Sequence, residues 1–209
     1  MITPALLPSL ITAIADTIET NAEDVTALDQ AIGDGDHVIN LQRGLNALMA
    51  QREELAQLDW VAAWQKIGMT LMSTVGGASG SLLGTLFVAM SKAAREQTLN
   101  QQGFAALFKA GVEAVKLRGK SDAGEKTMLD VLIPVADYLQ QAAADNISLS
   151  ETLENVTQVA IAGMESTRDM LATKGRASFL EARTIGHIDA GARTNQLMIC
   201  AVVSVLAQQ

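Results

Sequence analysis

Apolar residues recur at three- and four-residue spacings along almost the whole chain, and β-branched alternation is scarce, so the pattern predicts an all-helical protein. Leu7, Leu10, Ile11 and Ile14 mark one side of a first helix from Pro4 to about Thr20. A second segment begins near Asn21 and ends in the turn Gly33-Asp34-Gly35-Asp36. Leu41, Leu45 and Leu48 mark a third, from His37 to about Glu54. Asp59 is placed to cap a fourth, which carries Val61, Trp64, Ile67 and Leu71 and stops at Gly76-Gly77. Ser79 is expected to cap a fifth, with Leu82, Leu83, Leu86, Phe87 and Met90 on its buried side. Phe104, Leu107, Phe108, Val112 and Val115 define a sixth, ended by Gly119. A loop over 120–126 leads into a helix from Thr127 to about Ala144. Ser148 to Glu151 reads as a capping box that opens a helix to about Thr173, with Gly175 as its C-terminal cap. A loop from Arg176 to His187 precedes the last helix, from Asp189 to about Ala207.

About eight helices with short connections predict antiparallel neighbours. No repeat, linker or break in composition divides the chain, so residues 1–209 are expected to form one domain. The apolar fraction of 49% is enough for a core without disulfides, and the lone Cys200 can form none internally. Met1-Ile2-Thr3-Pro4 lacks a basic region feeding an apolar stretch, and no run approaches ~18 uninterrupted apolar residues, so neither a secretory leader nor a membrane span is expected. A soluble, cytoplasmic protein is the expectation. With 15 Lys+Arg against 23 Asp+Glu, the net charge of −8 argues against nucleic acid as a partner. It also means that any phosphate ligand must be neutralised locally, by metal ions or helix N-termini.

Asp29, Asp34 and Asp36 fall within eight residues, followed by His37 and Asn40. Three carboxylates around a glycine turn suit Mg²⁺ or Ca²⁺, although an Asp-rich turn that caps the next helix reads as well from this segment alone. An EF-hand is excluded, because its twelfth position counted from Asp34 is Leu45. Gly76 to Ser81 opens a helix with small residues, a setting for phosphate or for close helix packing. Gly119 to Thr127 is not a P-loop: Glu125 stands where lysine is required, and a helix precedes it rather than a strand. Arg176 with the N–H groups of the Asp189 helix start could hold a nucleotide, but from these segments alone a surface arginine and an ordinary capping aspartate is the better reading. Zinc is not expected from two histidines and a core cysteine.

Taken in order, Leu28-Asp29-x-x-Ile32-Gly33-Asp34-Gly35-Asp36-His37-x-x-Asn40, Gly76 to Gly80, Lys126-Thr127-Met128-x-Asp130, Lys174 to Leu180 and Ile185-Gly186-His187-x-Asp189 resemble one family across the chain. It is the nucleotide-binding L-subunit (DhaL) family of bacterial dihydroxyacetone kinases, also found as the C-terminal domain of single-chain ATP-dependent kinases. The resemblance implies a closed barrel of eight amphipathic antiparallel helices with nucleotide at one end. It implies that Asp29, Asp34 and Asp36 hold two Mg²⁺ ions. It further implies nucleotide contacts from His37, Val38, Ile39 and Asn40, from Ala78 and Ser79, from Gly119, Met128 and Arg176, and from Asp189, Ala190 and Gly191. It implies a metal-assisted transfer in which no side chain acts as a catalyst by itself. The implied activity is phosphoenolpyruvate-dependent: tightly held ADP is recharged to ATP by a phosphohistidine M subunit and phosphorylates dihydroxyacetone on a K subunit. An exchangeable-ATP component for this or a related small ketose, a regulatory adaptor and a homodimer remain alternatives to be tested. Ala190 stands where the family usually has proline, and Glu125 where aspartate is commoner.

Overall fold

The computed structural model describes residues 3–209, so Met1 and Ile2, half of the segment read for a leader, lie outside the described residues. After a 3-10 turn at Pro4–Leu6 come α1 (Leu7–Thr20), α2 (Ala22–Ile32), α3 (His37–Leu55), α4 (Trp60–Thr74) and α5 (Gly77–Ala94). Then follow α6 (Gln101–Gly119), α7 (Leu129–Ala144), α8 (Leu149–Ser166) and α9 (Ala190–Leu206), with 3-10 turns at Thr167–Asp169 and Arg176–Thr184. Among the described residues there is no strand, and no helix is long and apolar enough to cross a membrane.

The helices pack in a ring. Each of α3 to α9 lies against the next, α9 returns to α1, and α1 closes on α3. Side-chain pairs running in opposite senses along neighbouring helices show that these contacts are antiparallel. Lys66 of α4 reaches Glu54 near the end of α3, while Gly44 near the start of α3 faces Val75 just beyond α4. Ser91 near the end of α5 donates to the Val61 carbonyl at the start of α4 (2.7 Å). The α4–α5 contact is close in backbone terms. A Cβ on Gly68 would lie 2.8 Å from the Gly84 carbonyl oxygen, and one on Gly84 would lie 2.7 Å from that of Gly68.

Apolar stripes from the ring fill its interior with Ile11, Ile18, Leu41, Leu48, Trp64, Leu86, Leu107, Val115 and Leu132. A smaller cluster, including Val135, Val156, Met164, Ile188 and Ala192, joins α7, α8 and α9. Alternation of direction brings the N-termini of α3, α5, α7 and α9 to the same end. The short α2 packs on α3 and α9 and delivers Asp29 to that end.

Four expectations need correction. The eighth helix stops at Ser166 rather than near Thr173, because the Thr167 carbonyl accepts from Lys126 and its hydroxyl accepts from Asp189 N, both distant in sequence. Gly175, at φ 64°, starts a 3-10 turn instead of capping α8, and the stretch expected as a loop, 176–187, is largely that turn. Ser79 does not cap α5; Gly76 occupies the N-cap with no side-chain bond to the helix. The helix placed at Thr127 begins at Leu129. The caps expected from Asp59, Ser148 and Asp189 are present, accepting from Ala62 N (2.8 Å), Glu151 N (3.3 Å) and Ala192 N (2.7 Å).

Candidate functional site

The turn between α2 and α3 gathers the three aspartates. One carboxylate oxygen from each of Asp29, Asp34 and Asp36 lies within 4.8 Å of the others, with Asp34 and Asp36 exposed and Asp29 partly buried. Asp29 is held in place because its Oδ2 accepts from the His37 backbone N–H at 3.1 Å. The donor set is all oxygen and all anionic, with no thiolate or imidazole in the cluster, which matches the chemistry of Mg²⁺. Arg176 Nη1 pairs with Asp34 Oδ2 at 3.0 Å and is otherwise 71% exposed. It is thus a mobile cation within reach of whatever the aspartates hold.

His37 bridges two neighbouring helix starts. Its Nε2 lies 3.0 Å from Thr194 Oγ1 of α9, and its Nδ1 lies 3.3 Å from Ser79 Oγ of α5. The Thr194 hydroxyl donates its one proton to the Gly191 carbonyl (3.0 Å), so it must accept from His37 Nε2–H. Nδ1 is then the bare nitrogen and accepts from Ser79 Oγ–H. Burial lowers the ring's pKa, against an opposing pull from Asp29 and Asp36, which agrees with a neutral imidazole. With both ring nitrogens and its backbone N–H engaged, His37 is held by the protein's own groups and fixes the α3 start against α5 and α9.

Beside it, the α5 start is open. Gly76 approaches Asn40 so closely that a Cβ there would lie 2.4 Å from Asn40 Oδ1. Gly77, at φ 65°, has nothing within 4 Å of where a Cβ would be. The first N–H groups of α5 therefore have neither a side-chain cap nor a side chain above them, a setting that favours anionic oxygens.

Of the remaining candidates, Val38, Met128 and Ala190 are buried, so Val38 and Ala190 can meet a ligand only through the backbone. Ile39 is exposed. Ala78 is exposed on the α5 start. Gly119 lies beside α5, where a Cβ would meet Leu82 Cδ2 at 3.4 Å, and no contact joins it to the aspartates. Gly191 lies against Met128, whose backbone N would be 3.8 Å from a Cβ there. Asp189 caps α9, accepting from Ala192 N. Burial raises its carboxyl to about 6, opposed by the Ala192 N–H and the Lys126 ammonium and reinforced by Asp130 and Asp29.

Three residues without an assigned role prove central. Asp130, buried at the start of α7, accepts from Gly124 N (2.5 Å) and Thr127 N (2.7 Å) and so fixes the 120–126 loop. Lys126 is buried beneath that loop. Thr194 orients His37. Only Asp130 carried a local signal, the Thr127-x-x-Asp130 spacing that lets a carboxylate reach back to a helix start. A cavity of about 650 Å³ between the start of α8 and the end of α9 includes none of the candidate residues in its lining.

An all-helical ring with a carboxylate cluster beside an open helix start at one end is the architecture to be compared with known proteins. The DAK2 domain model matches residues 31–204. The chain is 43% identical over 189 residues to the ADP-binding subunit DhaL of phosphoenolpyruvate (PEP)-dependent dihydroxyacetone kinase 1 from Listeria innocua, covering 90% of this chain and 89% of that one. It is 39% identical over 190 residues to the ADP-binding subunit DhaL of the PEP-dependent kinase of Escherichia coli K12, covering 90% of each. The crystal structure of the dihydroxyacetone kinase of C. freundii superposes with a TM-score of 0.72 at 22% identity, over 98% of this chain and 34% of that one. The same kinase with AMP-PNP and Mg²⁺ gives 0.70 at 23% identity, with the same coverage. That likeness is one of fold, and the chain spans about a third of that kinase's length. The chain belongs to the DAK2 domain family.

Proposed function

We propose that this chain, acting as one domain over 1–209, is the nucleotide-carrying subunit of a phosphoenolpyruvate-dependent dihydroxyacetone kinase. The observation that carries the reading is the carboxylate cluster, whose oxygens fall within 4.8 Å of one another beside the uncapped start of α5. The Listeria and Escherichia relatives, similar over nine-tenths of their length and named for ADP binding, support it.

Asp29, Asp34 and Asp36 are assigned to two Mg²⁺ ions. The chemistry supplied at this end is a relay: a phosphoryl group passes from a phosphohistidine on an M-type subunit to ADP, and from the ATP so formed to dihydroxyacetone on a K-type subunit, with the metal ions neutralising phosphate charge. The chain's own residues bind and orient. Backbone N–H groups at 38–39, 78–79 and 190–191 donate to anionic oxygens, while those of His37, Asn40 and Asp189 are held by Asp29, Asp36 and Thr167 and fix these turns, and Arg176, released from Asp34, follows the phosphate charge. Gly119 and Met128 bound the base. Phe179 (83% exposed), Leu117 (80% exposed), Ile39 and Ile185 are exposed apolar residues on the segments that carry Arg176, Gly119, Asn40 and Asp189, and a partner holding the acceptor would dock on this side.

Protein purified without added nucleotide should release about one ADP per chain on denaturation, as expected of a ligand whose dissociation constant lies far below the protein concentration. Protein that carries none and turns over free ATP would favour an exchanging component instead. Reconstitution with K and M partners distinguishes either from a regulatory adaptor.

A further inference from the structure

Lys126 has no role in the reading above, yet it is the largest side chain buried outright by the fold, 1% exposed. A lysine stays in an interior only where its ammonium finds acceptors. Its backbone sits at φ 61°, a left-handed conformation that strains any residue with a Cβ and that turns this side chain inward. Inside, Nζ donates to the carbonyl oxygens of Thr167 and His187. Asp189, Asp169 and Asp130 supply attractive charge around it and Arg168 opposes them.

Each acceptor belongs to a segment that leads to the site. Thr167 is where α8 ends; its hydroxyl donates to the Met164 carbonyl (2.7 Å) and accepts from Asp189 N (3.1 Å). His187 lies two residues before Asp189, the cap of α9. Lys126 itself is two residues before Met128. Its neighbour Glu125 accepts from Thr173 Oγ1 (3.0 Å) and pairs with Lys174 (3.4 Å), on the approach to Arg176. The loop at 120–128, the segment at 167–176 and the lead-in at 187–191 therefore meet at one ammonium.

We propose that Lys126 is a positioning residue for the nucleotide: by bridging the Thr167 and His187 carbonyls from inside, it sets the separation between the Met128 wall and the N-terminus of α9. The proposal rests on the nucleotide reading of this site. It places Lys126 on different segments from the carboxylate cluster, which is built on α2 and the turn before α3 and shares no hydrogen bond with it. Nucleotide affinity and divalent-ion affinity should therefore respond differently to its loss.

The test compares Lys126→Met, which keeps the stem and removes the ammonium, with Val112→Ala, a core truncation in α6 away from the loops. ADP binding is measured by calorimetry with Mg²⁺ present, Mn²⁺ binding without nucleotide by electron paramagnetic resonance, and backbone order by amide hydrogen exchange. Lys126→Met is expected to weaken ADP binding about tenfold or more while Mn²⁺ binding stays within about twofold. Exchange is expected to rise about tenfold at 127–129 and 187–192 and to stay unchanged in α4 and α5. Val112→Ala lowers the melting temperature and leaves ADP affinity alone. If Lys126→Met does not fold, Lys126→Gln, a shorter neutral donor, takes its place with a smaller effect of the same pattern. Wild-type ADP affinity in the substituted protein, exchange that rises evenly over the fold, or an equal ADP loss in Val112→Ala overturns the proposal. A wild-type chain that binds no ADP refutes the nucleotide reading instead, and the exchange pattern still decides whether Lys126 braces these loops.

Discussion

Asp189 sits at the junction between stability and ligand binding, and replacing it with asparagine separates the two. Its carboxylate accepts from Ala192 N at 2.7 Å, a bond that an amide oxygen can also make. Burial raises its pKa from the ordinary 3.8 to about 6. The folded protein therefore holds a proton there that the unfolded chain releases, and stability falls as pH rises from 3.8 through 6. Ionising a carboxyl so displaced opposes folding by about 3 kcal/mol at neutral pH. The Lys126 ammonium loses an attractive neighbour in the variant, so a net gain of about 1–2 kcal/mol is expected at pH 7.5, equivalent to about 3–6 °C in melting temperature. Thermal melts of both proteins, stripped of ligand, from pH 4.5 to 8 measure this. The gain should vanish towards pH 4.5, where the native residue is itself protonated. It should also shrink when Mg²⁺ is added, since Asp29 contributes to the raised pKa. A variant that is less stable than wild type at pH 7.5, or a difference that does not change with pH, refutes the reasoning.

Other consequences can be measured directly. Asp34→Asn removes an anionic donor from the cluster and the partner of Arg176, and protein purified with this change should carry no nucleotide; ADP content after denaturation decides it. EDTA should lower the melting temperature of protein as purified by withdrawing what stabilises the folded state, and added Mg²⁺ with ADP should restore it. Thr194→Val should leave His37 Nε2–H unpaired and destabilise the protein by about 1–3 kcal/mol in urea titrations, while nitrogen NMR of the parent should show the Nε2–H tautomer with a midpoint below 6.5. Because that midpoint is lowered, the His37 contribution is complete above 6.5 and is lost as the pH falls, opposite in sign to Asp189. Gly84→Ala places a Cβ 2.3 Å from Met72 Cγ and 2.7 Å from the Gly68 carbonyl, so a loss of about 1–3 kcal/mol is expected from the same titrations.

The helices were legible because their apolar stripes, caps and glycine stops are local features. What escaped was decided by contacts distant in sequence. Residues 167–173, Thr-Arg-Asp-Met-Leu-Ala-Thr, contain no glycine or proline, and nothing local ends a helix there. The stop comes from Lys126, 41 residues earlier, and from Asp189, 22 residues later, which both bind Thr167. Ser79 has the chemistry of a cap, yet its hydroxyl is drawn to His37 of another helix. A lysine in a polar loop reads as solvated, so the burial of Lys126 had no forerunner in its neighbourhood. The clustering of the aspartates was legible because they share one turn. The separation of the site's other walls was not, since each hangs on a different helix.

A ring in which every neighbour runs the opposite way can close only with an even number of members, as this one does with α1 and α3 to α9. Dropping or adding a single helix would force one adjacent pair into the same sense, and a connection would then have to travel the full height of the wall. Growth and loss within such an architecture must therefore come as hairpins. Lengthening a connection on the face remote from the aspartates changes neither parity nor the four helix starts gathered above them, so that face is free to diverge while the other is held.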